Sequence, residues 1–226
     1  MQITWLGHSG FRIEIEQAVL LIDPWLTGNP MFPAARRAEA IRGATHILVT
    51  HGHGDHTGDA GPIAAELNIP LVGQYDLMRH LATRHGVETI GYNKGGTVTL
   101  GGARVTLVNA SHSSSIEGVA VGSEAGFMIA GEGHVIYLSG DTDIMADMEW
   151  MADLHQPDIG ILSCGGHYTM DMQRAAWAAR KWFNFRWLIP CHYRTFPALA
   201  QDASVLKTAL PGVTVLDPEV LDPILL

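Results

Sequence analysis

One short segment, His51-Gly52-His53-Gly54-Asp55-His56, limits what this chain can fold into more than any other part of the sequence. It follows directly on the apolar run His46–Thr50, which we interpret as a buried β-strand. Within six residues the segment offers four side chains that can ligate a metal. Loops at strand ends commonly carry such residues. The fold must therefore deliver a buried strand to a loop that holds a functional site.

The spacing within this segment supports a metal site. His51 and His53 are two residues apart, so an extended backbone points both imidazoles to the same side. Gly52 and Gly54 allow sharp turns around an ion, and imidazole with carboxylate suits zinc. So many ligands in so short a stretch favour more than one ion. An exposed polar loop is the alternative, and it explains a single histidine better than it explains this pattern.

Composition predicts one globular domain over residues 1–226. Apolar residues make up 47% of the chain and charged residues 16%, which excludes a disordered or fibrous protein. Fourteen basic and 23 acidic side chains give a net charge of -9, which disfavours nucleic acid as a partner. Two cysteines make no disulfide framework and fit a reducing compartment.

The N-terminal residues lack the basic and apolar regions of a signal peptide, and no apolar run is long enough to span a membrane. We therefore expect a cytoplasmic protein without a membrane span.

The predicted elements suggest two similar halves packed face to face, each with strands first and then strand–helix alternation. We expect strands at Gln2–Leu6, Phe11–Ile15, Val19–Ile22, His46–Thr50, Leu71–Val72, Thr97–Leu100, Arg104–Asn109, Val119–Val121, Ala125–Ile129, Val135–Leu138, Ile159–Leu162 and Trp187–Ile189. We expect helices at Ala34–Ile41, Asp59–Leu67, Tyr75–His85, Ile144–Ala152, Met172–Phe183 and Ala198–Leu210.

Three later segments each place a histidine or aspartate after a predicted strand. They are Ala110-Ser111-His112-Ser113, Leu138-Ser139-Gly140-Asp141-Thr142 and Ile189-Pro190-Cys191-His192-Tyr193. Together with the first segment, and in this order, they resemble the metallo-β-lactamase superfamily over nearly the whole chain. The resemblance implies an α/β fold of four layers, an αββα sandwich, with the site along one edge of the two sheets.

The resemblance also implies a ligand set. His51, His53 and His112 would bind a first metal, Asp55, His56 and His192 a second, and Asp141 would bridge the two. Such a pair leaves room for a bridging hydroxide at neutral pH, which Asp55 could orient. Zinc is favoured for the two divalent ions because of the imidazole count, with manganese and iron as alternatives.

Further segments resemble a narrower subgroup, the uncharacterised metal-dependent hydrolases related to ascorbate-phosphate lactonase and to a phospholipase D acting on N-acyl phosphatidylethanolamines. They are Gly7-His8-Ser9, Asp23-Pro24-Trp25 and Gly165–Met170.

The narrower resemblance makes His8 and His167 candidate catalytic residues that act on substrate without holding metal, with turn or loop positions as the alternative. Asp23 is a candidate to accept the free N–H of a ligating imidazole, or else a residue of a strand-end turn. Tyr193 and Arg194 could bind an anionic substrate group, and Arg194 could equally pair with a surface carboxylate.

The departures from other branches of the superfamily narrow the function. Position 53 is His, where di-iron relatives place a carboxylate, and position 141 is Asp, where many β-lactamases have Cys. The short spacing between His112, Asp141 and His192 leaves no room for the inserted domain of nucleic-acid-cutting relatives. We expect a hydrolase of a small ester, lactone, thioester or phosphoester.

Two other functions stay open on sequence grounds. A nucleic-acid phosphodiesterase would need a basic groove, for which the first half offers only a loose cluster of arginines: Arg36, Arg37, Arg42, Arg79 and Arg84. A non-enzymatic metal-binding module would keep the ligands without turnover. The sequence also leaves a homo-oligomer open.

Overall fold

The computed structural model describes residues 1–226. Its sixteen strands are β1 (Gln2–Trp5), β2 (Phe11–Ile15), β3 (Ala18–Ile22), β4 (His46–Val49), β5 (Leu71–Gln74), β6 (Thr89–Tyr92), β7 (Thr97–Leu100), β8 (Ala103–Asn109), β9 (Ser115–Ile116), β10 (Val119–Ala120), β11 (Ala125–Gly131), β12 (His134–Leu138), β13 (Ile159–Ser163), β14 (Trp187–Cys191), β15 (Thr214–Val215) and β16 (Pro223–Leu225). Its seven α-helices are α1 (Arg37–Ile41), α2 (Gly54–Thr57), α3 (Ala60–Leu67), α4 (Tyr75–His85), α5 (Asp147–His155), α6 (Met172–Trp182) and α7 (Ser204–Ala209).

Fourteen of the strands form two sheets of seven built to the same plan, and β9 and β10 form a separate two-stranded sheet. The first runs β16-β1-β2-β3-β4-β5-β6, and the second runs β15-β14-β13-β12-β11-β8-β7. In each sheet three strand pairs are antiparallel and three are parallel, and the change of direction falls at β3 in the first sheet and at β12 in the second. The two similar halves expected from the sequence are therefore present.

Side-chain alternation along the strands builds the layers. In β4, Leu48 joins a buried cluster of 44 residues that draws on both sheets. Its neighbours Ile47 and Val49 join a second buried cluster of 18 residues, which includes Ile41, Ile63 and other side chains of α1, α3 and α4. Because successive residues of a strand face opposite sides, one strand contributes to the core between the sheets and to the core under the helices. This confirms the αββα sandwich.

Several predicted boundaries were wrong. The helix expected over Ala198–Leu210 shrinks to α7, because the backbone of Ala200 is bonded to Arg194 and Gly165 instead. The helix expected from Ile144 begins only at Asp147. The sequence also gave no sign of β16, which pairs with β1 at the opposite end of the chain. For Ala200 and for β16, contacts between residues far apart in the sequence override the local pattern.

No helix is both long and apolar enough to cross a membrane.

Candidate metal centre

The candidate ligands follow strands that end at the same edge of the two sheets. His51 comes two residues after β4, Asp141 three after β12 and His192 directly after β14. Strands β3 to β6 run parallel in one sheet and β12 to β15 in the other. The carboxyl ends of such strands, next to a change of strand direction, are a usual place for ligands in open α/β sheets. The topology therefore explains why distant motifs meet here.

The first group of ligand atoms is made of three histidines, His51, His53 and His112, whose ring nitrogens lie within 4.8 Å of one another. His51 Nε2 and His53 Nδ1 are 3.0 Å apart. The ring of His112 lies 5.1 Å from each of the other two rings. His51 is fully buried, whereas His53 and His112 are partly exposed. This group matches the set expected for a first ion.

A hairpin of β9 and β10 lies against this first group. Gly52, between the two histidines, donates its N–H to Ser114 Oγ at 3.1 Å. A Cβ at Gly52 would come within 2.5 Å of Val121 Cγ2 and 3.1 Å of the Ser115 backbone, so only glycine fits. The far end of the hairpin is open, with Val119 61% exposed.

The second group contains Asp55, His56 and His192, joined by His8, again with one ligand atom of each within 4.8 Å of the others. Asp55 Oδ2 lies 3.6 Å from His192 Nε2 and 3.8 Å from His56 Nε2. Asp55 and His56 are carried by the short helix α2. His56 and His192 are buried, while Asp55 is 29% exposed at its side chain. This group matches the set expected for a second ion.

Asp141 lies between the two groups. Its Oδ2 is 3.1 Å from His192 Nε2 and 3.3 Å from His56 Nε2, and 3.7 Å from His112 Nε2 and 4.0 Å from His51 Nε2. The preceding Gly140 has a φ of +60°, and a Cβ there would lie 2.4 Å from the Ala125 carbonyl oxygen. The backbone turn that presents Asp141 therefore requires glycine. The carboxylate holds the position expected of a bridge.

The chemistry of these atoms fits a bound metal. His56 Nε2 and Asp141 Oδ1 are buried and have no hydrogen-bond partner. Buried polar atoms are rarely left without a partner, and a divalent ion would satisfy both. The donors are imidazoles and carboxylates, the set that zinc accepts.

The two groups differ in the pKa values of their histidines. Burial opposes charge on His56 and His192, but the neighbouring carboxylates, above all Asp141, outweigh it. They hold the pKa of His56 well above its usual value and raise the pKa of His192 to about 9. In the first group burial dominates and holds the pKa of His51 well below its usual value and lowers that of His112. At neutral pH His56 and His192 therefore carry protons, whereas His51 and His112 do not.

Asp23 fixes the orientation of the buried imidazoles. Its Oδ2 accepts from His56 Nδ1 at 2.7 Å and from Thr50 Oγ1 at 2.6 Å, and its Oδ1 accepts from the Thr50 N–H at 2.8 Å. Thr50 Oγ1 in turn lies 3.0 Å from His51 Nδ1. These contacts leave Nε2 of both histidines free for metal. The predicted contact of Asp23 with an imidazole is confirmed, while Thr50 was not predicted.

His8 is fully buried, and both of its ring nitrogens are engaged. Nε2 lies 2.9 Å from Asp55 Oδ2, and Nδ1 lies 2.8 Å from Thr195 Oγ1. Burial lowers the pKa of His8 to about 4, so the ring is neutral at pH 7. Because a carboxylate only accepts, we assign the proton to Nε2 and the Thr195 hydroxyl as the donor to Nδ1. No ring nitrogen is free for the expected substrate contact. Thr195 carried no sequence signal.

The remaining candidates, His167, Tyr193 and Arg194, differ in their exposure and in their contacts. His167 is exposed and lies beside Tyr168, with ring centroids 4.5 Å apart, and Tyr168 lies 6.4 Å from the His192 ring. Tyr193 is 1% exposed and stacks on Trp5 at 5.3 Å. Arg194 pairs with Glu219 at 2.9 Å. Of these three, only His167 is exposed.

Eleven non-glycine residues have left-handed backbone, and four of them are histidines or aspartates in or beside the candidate ligand groups. His8, Asp23, His167 and His192 have φ values of 52°, 45°, 60° and 55°. Aspartate and histidine tolerate this region better than most residues, yet each such position still costs about 1 kcal/mol or more. Strained backbone of this kind is typical of functional sites.

Comparison with known proteins places this architecture in a family. The family model described as "Beta-lactamase superfamily domain" matches residues 19–193, which include all seven candidate ligands. The chain belongs to the β-lactamase superfamily.

Within the superfamily, the chain is 71% identical to a UPF0173 metal-dependent hydrolase of Paracoccus denitrificans, and the match covers 99% of each chain. It is 62% identical to the UPF0173 metal-dependent hydrolase of Dinoroseobacter shibae, again over 99% of each. A solved structure, the metallo hydrolase Igni18 of the archaeon Ignicoccus hospitalis, is 30% identical with a TM-score of 0.86, covering 99% of this chain and 97% of that one. The subgroup inferred from the sequence is thus confirmed as the UPF0173 metal-dependent hydrolases.

Proposed function

We propose that this protein is a dinuclear, zinc-dependent hydrolase of small carbonyl or phosphoryl esters, including lactones and thioesters. In this proposal His51, His53 and His112 hold one ion, Asp55, His56 and His192 hold the other, and Asp141 is shared. The observation that carries it is the position of Asp141 Oδ2, within 4.0 Å of imidazoles from both groups. Manganese and iron remain alternatives to zinc.

When bound, the two divalent ions would supply a hydroxide nucleophile at neutral pH and would polarise the substrate oxygen. In hydrolysis the oxygen of water bonds to the carbonyl carbon or to phosphorus, the bond to the leaving group breaks, and the leaving group takes the proton. The chain's own contribution is to hold the ligands rigid. Asp23 and Thr50 lock two imidazoles from behind, and Asp55 offers its exposed side to the reacting water.

We assign different roles to the two catalytic histidine candidates. His8 is a positioning residue, because it donates to Asp55 from a fully buried site and is itself held by Thr195. His167 stays a candidate for substrate contact, because its exposed ring lies beside Tyr168 near His192. If His167 stabilises the developing oxyanion, His167→Ala should lower kcat by about a hundredfold with metal content unchanged.

The charges of the structure favour a small substrate over a nucleic acid. Three of the arginines that could have formed a basic groove are neutralised in pairs, Arg36 with Glu39, Arg37 with Glu66 and Arg84 with Glu117. A polyanion would gain little from cations already paired.

We also propose that residues 1–226 act as one domain in the reducing cytoplasm. One buried cluster extends through both sheets, and both cysteines, Cys164 and Cys191, are free and buried.

The test is reconstitution with zinc, elemental analysis, and an activity screen across lactones, thioesters, phosphomonoesters and phosphodiesters. We expect about two ions per chain, removed by a chelator together with activity. A protein that takes up no zinc, manganese or iron would contradict the proposal. Full metal content with no turnover of any substrate class would instead support the non-enzymatic module.

A further inference from the structure

Three aromatic side chains lie beside the second group of ligands. Trp25 and Phe196 pack on His8, with ring centroids 5.3 and 5.6 Å from it, and lie 6.1 Å from each other. Both are partly exposed. Tyr168 is 56% exposed and lies 6.4 Å from the His192 ring. Because His8 is bonded to Asp55, these rings flank the carboxylate and imidazole expected to hold the second ion.

Trp25 is fixed against the metal loop. A Cβ at Gly58, directly after α2, would lie 3.0 Å from Trp25 Cδ1, so the indole packs on the end of the helix that carries Asp55. Single exposed aromatic residues are common on protein surfaces. Three that converge on a metal centre, one of them held against the metal-binding helix, fit the apolar lining of a small-molecule site better.

The carboxylates beside these rings have no arginine or lysine partner. Within 4.0 Å the carboxylates of Asp23, Asp55 and Asp141 pair only with histidines. The guanidinium closest in sequence to His192, that of Arg194, is bonded to both oxygens of Glu219. Anionic substrate groups are usually met by arginine or lysine, and here a charged arm would meet aromatic faces and carboxylates instead.

We propose that the substrate is a carbonyl compound (an ester, lactone or thioester) whose remaining part is an uncharged aromatic or bulky apolar group, held among Trp25, Phe196 and Tyr168. The inference rests on the proposed function and narrows it, because it excludes phosphate esters with a second negative charge. In the reaction the oxygen of water bonds to the carbonyl carbon, the carbon–oxygen or carbon–sulfur bond breaks, and the alcohol or thiol leaves with the proton. An aryl or bulky group should strengthen binding by roughly tenfold or more over a methyl group.

The experiment measures binding of three hydroxamates to the zinc-loaded protein by calorimetry, so that the zinc-binding group is constant and turnover is not needed. Acetohydroxamate reports the metal centre alone, benzohydroxamate adds an aryl group, and succinic acid monohydroxamate adds a negative charge. We expect benzohydroxamate to bind roughly tenfold more tightly than acetohydroxamate, and the charged compound to bind no more tightly than acetohydroxamate.

Substitutions of the three aromatic residues test whether they bind the aryl group. Phe196→Ala, Trp25→Ala and Tyr168→Ala should each reduce the preference for benzohydroxamate over acetohydroxamate. For Tyr168→Ala, acetohydroxamate binding and zinc content should hold. Tyr168→Ala guards against indirect effects, because Tyr168 is not among the rings that pack on His8. Trp177→Ala is the matched control, since Trp177 is 45% exposed on α6 and packs on Trp182 instead.

Equal affinity for the aryl and methyl compounds, or tighter binding of the charged one, would overturn the substrate class while leaving the metal centre intact. A preference that survives all three variants would also overturn it. Failure of every hydroxamate to bind the zinc-loaded protein would overturn the proposed hydrolase, and the substrate class with it.

Discussion

The two groups of candidate ligands differ in composition and in exposure. The first consists of three imidazoles, of which those of His53 and His112 are partly exposed, whereas the second has the carboxylate of Asp55 and the buried imidazoles of His56 and His192. The supports behind them differ in the same direction. His56 is held by Asp23 and Asp55 by His8, whereas outside the ligand groups the His53 ring is bonded to Ser113 alone, at 3.4 Å. Ligands held by hydrogen bonds lose less freedom when metal binds. We infer that the second group is the rigid half of the centre and the first the adaptable half.

The largest effect should come from the residue that belongs to both halves. Asp141→Ala should lower metal content from about two ions per chain to below about one, and should abolish hydrolysis, because the carboxylate contacts imidazoles of both groups. Elemental analysis and turnover measure this. His46→Ala is the control, since His46 lies at the start of β4 and its ring nitrogen is bonded to Thr45 rather than to a candidate ligand. Equal metal loss in the two variants would show that the ligand assignment is wrong.

Removing one ligand from each half should separate the two ions. We expect His53→Ala to release the first ion and His192→Ala the second, with about one ion retained in each case. Stepwise titration with a zinc indicator distinguishes the two sites. If either variant lost both ions, the two groups would not bind metal independently, and the distinction between a rigid and an adaptable group would be wrong.

The carboxylate behind the rigid half can be tested alone. Asp23→Ala should weaken the second ion by about 10- to 100-fold, because His56 loses the partner that orients its ring. The effect on the first ion should be smaller, since Asp23 reaches His51 only through Thr50. Asp158→Ala is a matched control that breaks another aspartate–histidine pair, with His134 at 2.7 Å. Equal weakening of both ions would place Asp23 behind the whole centre.

The halves should also respond differently to pH. The raised pKa values of His56 and His192, the latter about 9, mean that these rings carry protons at pH 7 which metal must displace. Affinity for the second ion should therefore rise from pH 7 towards pH 9, by up to about tenfold per pH unit for each proton released. The first ion should change little, because the pKa values of His51 and His112 are already lowered. Parallel slopes for both ions would contradict this.

The smallest effect concerns the hydroxyl that holds His8. Thr195→Val removes the donor to His8 Nδ1 but keeps the shape, so kcat and second-ion affinity should fall by only a few-fold, about 1 kcal/mol. Thr195→Ser should restore both, since it keeps the hydroxyl. Recovery with serine separates a positioning role from a packing role. If valine and serine behaved alike, the hydroxyl would not be what positions His8.

The sequence predicted the two packed sheets, and its resemblance to the superfamily supplied the seven candidate ligands, each of which lies within a few residues of a predicted strand. His51, Asp141 and His192 could be placed without knowing how the strands pair. The supporting contacts could not be predicted in this way. Thr195 reaches His8 across 187 residues of chain, and neither residue carries a local pattern that points to the other.

Long-range packing also explains why the contacts of His8 were not predicted. A histidine after the first strand suggested substrate contact, and only the packing of Trp25 and Phe196 over it shows that the ring is enclosed. The helix expected over Ala198–Leu210 fails for a related reason, since long-range backbone bonds of Ala200 replace local ones. Sequence pattern identifies candidate ligands at the ends of strands. Which residues form hydrogen bonds to those ligands depends on three-dimensional packing.

The glycine between the first two histidines has a consequence for how this enzyme can diversify. Because Gly52 leaves no space between the metal loop and the base of the β9–β10 hairpin, mutations at that base would disturb the ligands and be lost by selection. The tip, where Val119 stands in solvent, carries no such constraint. Variation can therefore accumulate at the tip without disturbing the candidate ligands. A hairpin with a constrained base and an unconstrained tip would let substrate preference change while the metal ligands stay unchanged.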